Sequence, residues 1–318
     1  VDFCIARARQ YGKPIALNLS FGNNYGSHSG NSLIETYLDD MANYWKTSIV
    51  IGSGNEGSAA VHTAGKLTLN EASLNLQIWK NYVDEIGVSV IHPGGTAIGP
   101  LQRIQGTQRF QLGETNLLVY YGEPSPYNPY QEIYLDFIPV GSYIDDGIWK
   151  IRLTPIRITD GAFDMWLPAG NVLNSGTGFL NPVEETTLTI PSTATKVITV
   201  GAYDARFDQA AAFSGRGYTR ATNQVKPDLV APGVEIMSCA PGGGYQVRTG
   251  TSMATPFVTG SAALLMQWGI VNGNDAYLYG EKMKAYLIRG ARRLPGFTAY
   301  PNPVLGWGAL CTANSIPR

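Results

Sequence analysis

The run Gly250-Thr251-Ser252-Met253-Ala254-Thr255-Pro256, followed by apolar residues through Leu264 and Leu265, constrains this chain more than any other feature. Gly250 has the freedom in φ to turn the backbone sharply. Behind it Pro256, Phe257, Val258, Ala262, Ala263, Leu264 and Leu265 support a helix. Ser252 is thereby placed at or near a helix N-terminus, where unpaired N–H groups and the positive end of the helix dipole favour negative charge. The oxyanion formed when a serine attacks a carbonyl is such a charge. Without its neighbours, a Ser/Thr pair before a helix would be a plain N-cap.

The full heptapeptide resembles the nucleophile motif of the subtilisin-like serine proteases, the subtilases, and that resemblance implies Ser252 as nucleophile. A second segment, Ser48-Ile49-Val50-Ile51-Gly52-Ser53-Gly54-Asn55-Glu56-Gly57, reads as a short buried strand running into a glycine-rich turn. Asn55 then sits at a strand's carboxyl end, where open α/β sheets keep their ligand sites. Ser-Gly-Asn alone would suit an ordinary turn. In this setting it resembles the subtilase oxyanion asparagine, which implies that Asn55 donates to the tetrahedral intermediate.

Lys13-Pro14-Ile15-Ala16-Leu17-Asn18-Leu19-Ser20-Phe21-Gly22 is similar to the family's strand leading to the substrate-binding edge. The resemblance implies that Ser20, Phe21 and Gly22, with Gly52, Ser53 and Gly54, flank the P1 side chain and pair with substrate backbone, as a strand added to an edge. Val197 to Ala202, Phe213-Ser214-Gly215 and Lys226 to Gly233 match family scaffold and carry no chemistry. The implied fold is α/β, a subtilisin-like parallel sheet flanked by helices.

A serine hydroxyl needs a general base, in a triad a histidine oriented by an aspartate. Subtilases carry these in the order Asp, His, Ser. Here the three histidines are His28, His62 and His92, and none has the His-Gly-Thr-His setting of the family. No Asp-Thr-Gly or Asp-Ser-Gly strand end precedes them. His28 lies in a glycine- and serine-rich loop and reads as solvated; His62, seven residues beyond Asn55, is the better stand-in base. Phe257 stands where the family's helix often has a histidine, and reads as a packing change. Val1, Ile5 and Ala8 are spaced as one helical face ending at Gly12, so the sequence opens inside an element. The expectation is a C-terminal part of a subtilase, its sheet incomplete, with Asp and His supplied by a missing N-terminal segment.

Between the turn at Gly57 and the strand at Val197 the chain runs far beyond a connection of about four to six residues. Leu74, Leu76 and Ile78 alternate with Ser73, Asn75 and Gln77; Ile133, Leu135 and Phe137 with Glu132, Tyr134 and Asp136; Trp149, Ile151 and Leu153 with Lys150, Arg152 and Thr154. Such runs predict antiparallel strands with one buried face. The expected organisation is catalytic domain over 1–66 and 188–318, with an inserted all-β, jelly-roll-like sandwich over 67–187. Clostridial spore-germination proteases carry such an insert, and Asn24-Tyr25-Gly26-Ser27-His28 and Asn55-Glu56-Gly57 with His62-Thr63-Ala64-Gly65 resemble that subgroup. A bacterial spore setting, with processing of a germination enzyme, is what that likeness implies. Tyr120, Tyr121, Tyr127, Tyr130, Tyr134, Tyr143, Trp149 and Trp166 allow a carbohydrate-binding insert, though packing of a small β-domain accounts for them as well.

Lys plus Arg at 23 nearly balances Asp plus Glu at 24 over 318 residues, so no polybasic run calls for nucleic acid or an anionic membrane. No apolar stretch is read as approaching the roughly 20 residues that span a bilayer. Cys4, Cys239 and Cys311 allow at most one disulfide and read as buried small apolar groups. Asp39-Asp40 and Asp145-Asp146 are lone acidic pairs; no metal and no cofactor are predicted.

Two functions follow: a serine endopeptidase acting on a peptide or protein substrate, or a subtilase-like pseudoprotease that binds a peptide or signal without cleaving it. The first expectation is physical. With N-terminal strands missing, the edge at Ile15–Leu19 has unpaired backbone groups that invite another chain. The isolated chain is expected to self-associate, as sedimentation velocity would show; a monodisperse monomer would oppose it.

Overall fold

The computed structural model describes residues 1–59, 63–66, 71–123, 125–169 and 172–316. They form two units, one of residues 1–23, 28–58 and 184–318, the other of residues 24–27 and 59–183.

The first unit is built on a sheet in which strands Ile15–Leu19, Thr47–Gly52, Ile198–Asp204 and Leu229–Pro232 run parallel, in that order across the sheet. Strand 47–52 is buried throughout, and its residues divide between two cores. Val50 faces the helix Thr251–Met266 with Ile198, Val200, Leu229, Ala254, Val258 and Leu265. Ile49 and Ile51 face the helix Leu33–Ala42 with Leu38, Ala42 and Val197. A strand covered on both sides has no polar face, hence the unbroken Ile-Val-Ile.

The helices obey local rules. Asp2–Gln10 places Asp2 in its first turn and Arg7 and Arg9 in its last, both favourable to the dipole, and stops before Gly12 at φ +64°. Leu33–Ala42 starts with a reciprocal Ser32–Glu35 capping box, and buried Glu35 also accepts from the Thr193 hydroxyl. Helix 251–266 continues as a π-turn, Gln267–Val271. Against the sequence reading, these 21 residues are long and apolar enough to cross a membrane. Ala254, Val258, Ala262 and Leu265 are fully buried in the first unit, which accounts for that apolarity as a core helix.

A buried ionic cluster links strand 198–204 to the helix Gly280–Gly290. Asp228 receives the Lys226 ammonium at 2.9 Å and the Lys284 ammonium, from helix Gly280–Gly290, at 2.8 Å. The Thr199 N–H adds a third bond at 2.7 Å, and the two lysines share the Val197 carbonyl. Burial by itself would raise the Asp228 carboxyl, but the two cations and the N–H outweigh it and hold it below the usual carboxylate range.

The second unit holds two antiparallel sheets around one apolar core, and a two-stranded ribbon of Thr63–Lys66 with Gly178–Pro182. In the larger, strands Phe163–Trp166, Leu74–Asn81, Tyr130–Pro139, Thr115–Tyr121 and Thr107–Leu112 lie side by side; in the smaller, Lys150–Arg157, Glu85–Ile91 and Ala97–Ile98. Leu74, Leu76, Ile78, Ile133, Leu135 and Phe137 point into the core with Val88 and Val90, as the alternation predicts. Gln77 and Trp79 on the other face are buried too, a departure from simple alternation. Residues 24–27 belong to this unit: Asn24 donates to the Leu167 carbonyl at 3.2 Å, and the Gly26 N–H to Gln77 Oε1 at 3.0 Å.

The cysteines depart from expectation. Cys4 and Cys239 are exposed and Cys311 half-buried, all as free thiols.

Asp228→Ala would leave two buried ammonium groups without their anion and is expected to cost about 3–5 kcal/mol by urea denaturation. Because the Asp228 pKa is lowered on folding, its contribution is present above the ordinary carboxylate range and lost as pH falls through the lowered value, and the variant should lose that part of the acid sensitivity.

Candidate active site

Ser252 stands in the first turn of helix 251–266, behind Gly250 at φ 152°. A Cβ at Gly250 would lie 3.2 Å from the Asn55 amide nitrogen, so both the dihedral and the space favour glycine. The Thr251 N–H, an orphan donor of the helix start, is taken by Asn55 Oδ1 at 2.8 Å, and the Thr251 hydroxyl adds a second bond to the same oxygen at 3.1 Å. With its oxygen so occupied, Asn55 has its NH₂ end left for a ligand. Among the described residues, no acceptor takes the N–H of Ser252, leaving it as a second donor.

The helix start is pressed onto the sheet at Gly52, where a Cβ would meet the hydroxyls of Thr251 and Thr255, each at 3.1 Å. Ser252 Oγ donates to the Ser20 carbonyl and Ser20 Oγ to the Ser252 carbonyl, both at 3.4 Å. Asn18 supports Ser20 with a 2.9 Å bond from Nδ2 and accepts from Thr259 on the helix at 3.0 Å. Ser20, Asn55 and Ser252 thus come together at the carboxyl ends of two neighbouring strands. Phe21 is 54% exposed beside them, and Gly22 is exposed as well.

The turn 52–54 differs from an open substrate edge. The Ser53 N–H donates to the Val200 carbonyl at 2.9 Å, and its carbonyl accepts from the Thr189 N–H at 3.0 Å. The Gly54 carbonyl accepts from the Gly215 N–H at 2.8 Å. The Ser53 N–H and one lone pair of its carbonyl are therefore already bonded within the fold. Phe213-Ser214-Gly215 brace the turn from outside the motif.

Of the histidines, His28 is fully buried with Nδ1 2.7 Å from the Leu188 carbonyl, which corrects its reading as a solvated loop residue. The ordered loop around it supplies polar partners that a glycine- and serine-rich sequence conceals. His92 lies in the second unit, 3.0 Å from Asp145, with Nδ1 accepting from the Gly94 N–H at 2.9 Å. It is therefore Nε2 that carries the proton toward Asp145. His62 lies outside the described residues. Phe257 is 43% exposed and does not fill a packing position. The roles of Thr251 and Thr189 were hidden from the sequence: Thr251 has only its place beside Ser252 as a signal, and Thr189, in a loop, has none.

A model of the subtilase family matches residues 167–308. The structure of the Clostridium perfringens CspB protease matches 99% of this chain, and 68% of its own, at 37% identity and a TM-score of 0.91. The chain belongs to the subtilase family. Serine protease AprX of Bacillus subtilis (strain 168) is 34% identical over 47% of this chain, and the intracellular serine protease of Paenibacillus polymyxa 46% identical over 24%. This subtilase spans only 36% and 21% of those two proteins.

Gly54 at φ +99° is the tightest point of the turn, since a Cβ there would fall 2.5 Å from Thr189 Cγ2. Gly54→Ala is expected to cost about 2 kcal/mol or more in denaturant unfolding. Adding Thr189→Ala should recover the steric part and leave the cost of the positive φ.

Proposed function

We propose that this subtilase is a serine endopeptidase acting on a peptide or protein substrate by acyl-enzyme chemistry. Ser252 is the nucleophile; the Asn55 amide and the Ser252 N–H receive the oxyanion. The observation that carries the reading is the bond from the Thr251 N–H to Asn55 Oδ1, because one contact both aims the amide and ties it to the nucleophile's helix. Ser20, Phe21 and Gly22 form the substrate edge, and Gly52, Ser53 and Gly54 the wall of the P1 pocket.

Ser252 meets only a carbonyl and no base among its described hydrogen bonds, while His28 and His92 are bonded elsewhere. We assign the aspartate and histidine of the triad to a segment supplied separately, with His62 as the alternative base within the chain, and expect the chain alone to be inactive. A spore setting, with a germination enzyme as the processed substrate, rests on the likeness of Asn24 to His28 and of Asn55 to Gly57 to the clostridial germination proteases.

The test is intact-mass analysis after exposure to a fluorophosphonate, with Ser252→Ala as control. Labelling is expected when the segment proposed to hold Asp and His is supplied, and not without it. In that reconstituted protease Asn55→Ala should lower kcat about 10²- to 10³-fold, the range found when subtilisin loses such a donor. Labelling of the chain alone would place the base within it and overturn the split assignment. Silence in both states would make the protein a pseudoprotease.

A further inference from the structure

Three inward-facing rows of the larger sheet of the second unit end in polar residues. Leu74, Leu76 and Ile78 lead to Lys80; Phe137, Leu135 and Ile133 lead back to Gln131; Leu117 and Val119 lead to Tyr121. Period-two alternation puts all three on the core side, where the pattern calls for apolar side chains. Lys80 and Gln131 are directly paired across the ladder, which sets their side chains next to one another. They are only 2% exposed each, and Tyr121 only 5%. Breaks in an otherwise consistent pattern concentrate where a protein has work to do.

These residues line the floor of a cavity of about 290 Å³ whose wall from the other sheet includes Ile86 and Ile156, with Arg103 at the rim. That volume suits a small molecule. The polar groups on the floor are incompletely matched. The Lys80 ammonium donates to the carbonyls of Asp84 at 2.6 Å and Asn81 at 3.2 Å, leaving one of its three donors unused among the described residues. Gln131 Nε2 donates to the Gly122 carbonyl at 3.0 Å, which fixes the amide and leaves Oε1 buried with no partner. An unpaired buried acceptor is costly, so a donor brought to it is favoured.

The charges nearby are already committed, except for the cations. Asp84 accepts three backbone N–H bonds, from Thr159, Asp160 and Gly161, and Glu85 is paired with Arg157. Among the described residues, Arg103 meets only the face of Tyr82, 5.1 Å away. Burial, ahead of repulsion from Arg103, pulls the Lys80 ammonium down to about 8 against the opposing pull of Asp84 and Glu85. It is still a cation at neutral pH, and an anion beside it would relieve both effects.

We propose that this cavity binds a small organic carboxylate whose apolar body carries a second hydrogen-bond donor. The carboxylate meets Lys80 Nζ and Arg103, the body lies against Ile86 and Ile156, and the donor reaches Gln131 Oε1.

The experiment is saturation-transfer NMR titration of the full chain with 4-hydroxyphenylacetate, phenylacetate and tyramine, which share a ring but differ in carboxylate and donor. 4-Hydroxyphenylacetate should bind saturably, phenylacetate about fivefold or more weakly, and tyramine not at all. Lys80→Met should weaken 4-hydroxyphenylacetate at least about tenfold, as loss of a charged hydrogen bond does. Gln131→Leu should erase the difference between the two acids. If Lys80→Met lacks a cooperative thermal transition, Arg103→Ala at the exposed rim replaces it, with several-fold weaker binding of both acids and an unchanged ratio. Equal binding of tyramine, wild-type binding in the folded variants, or no saturable binding of either acid would overturn the proposal.

Discussion

The bond between the Thr251 N–H and Asn55 Oδ1 is the constraint on which the arrangement around Ser252 depends. A helix that begins at the end of a sheet exposes N–H groups with no partner in the helix. Here a side chain from a different segment takes one of them, so the turn after strand 47–52 and the start of helix 251–266 are fixed by the same atom pair. Much follows from that closeness. Gly250 is needed because any Cβ would crowd the amide, and Gly52 because the first turn of the helix rests on it. The pair also settles the amide's orientation: with two donors on Oδ1, only the NH₂ can face an incoming anion.

Such a contact holds only if the sheet and helix beneath it do not shift, and the ionic cluster around Asp228 supplies part of that stiffness. It joins strand 198–204 through Thr199, the segment before strand 229–232 through Lys226, and helix 280–290 through Lys284. A buried carboxylate between two ammonium groups is a poor source of net stability compared with apolar packing. Its geometry is directional where apolar packing is not. The cluster therefore specifies how strand and helix register, while Val50, Val200, Val258 and Leu265 supply the burial.

The strands at 15–19, 47–52 and 198–204 and the helix behind Ser252 were legible in the sequence because burial writes itself as periodicity. Ile49-Val50-Ile51 could only be covered on both faces, and the alternation from Leu74 to Ile78 could only be covered on one. What was not legible has no period. Asn24 to Ser27 lie in a glycine- and serine-rich loop without periodicity, yet Asn24 and Gly26 find partners at Leu167 and Gln77, over 50 positions away in the chain. His28 was misjudged for the same reason. Cys4 and Cys239 erred the other way, since a small apolar side chain carries no signal of where it lies. Asn55 and Ser252 were each visible through their turn and helix, but that Thr251 joins them was not, because a hydrogen bond between distant segments leaves no mark on local spacing.

The bonds between Ser20 and Ser252 bear on how the site would work. Each is 3.4 Å long, at the weak end for hydroxyl donors. The Ser20 carbonyl holds the Ser252 proton in place of a base, yet as a neutral, non-basic acceptor it cannot take that proton away. The same carbonyl belongs to the proposed substrate edge, where it would accept from a peptide N–H. On the proposed reading, a peptide N–H arriving at this carbonyl would share or displace the weak bond from Ser252. Substrate binding and the freeing of the nucleophile's hydroxyl would then meet at one oxygen atom.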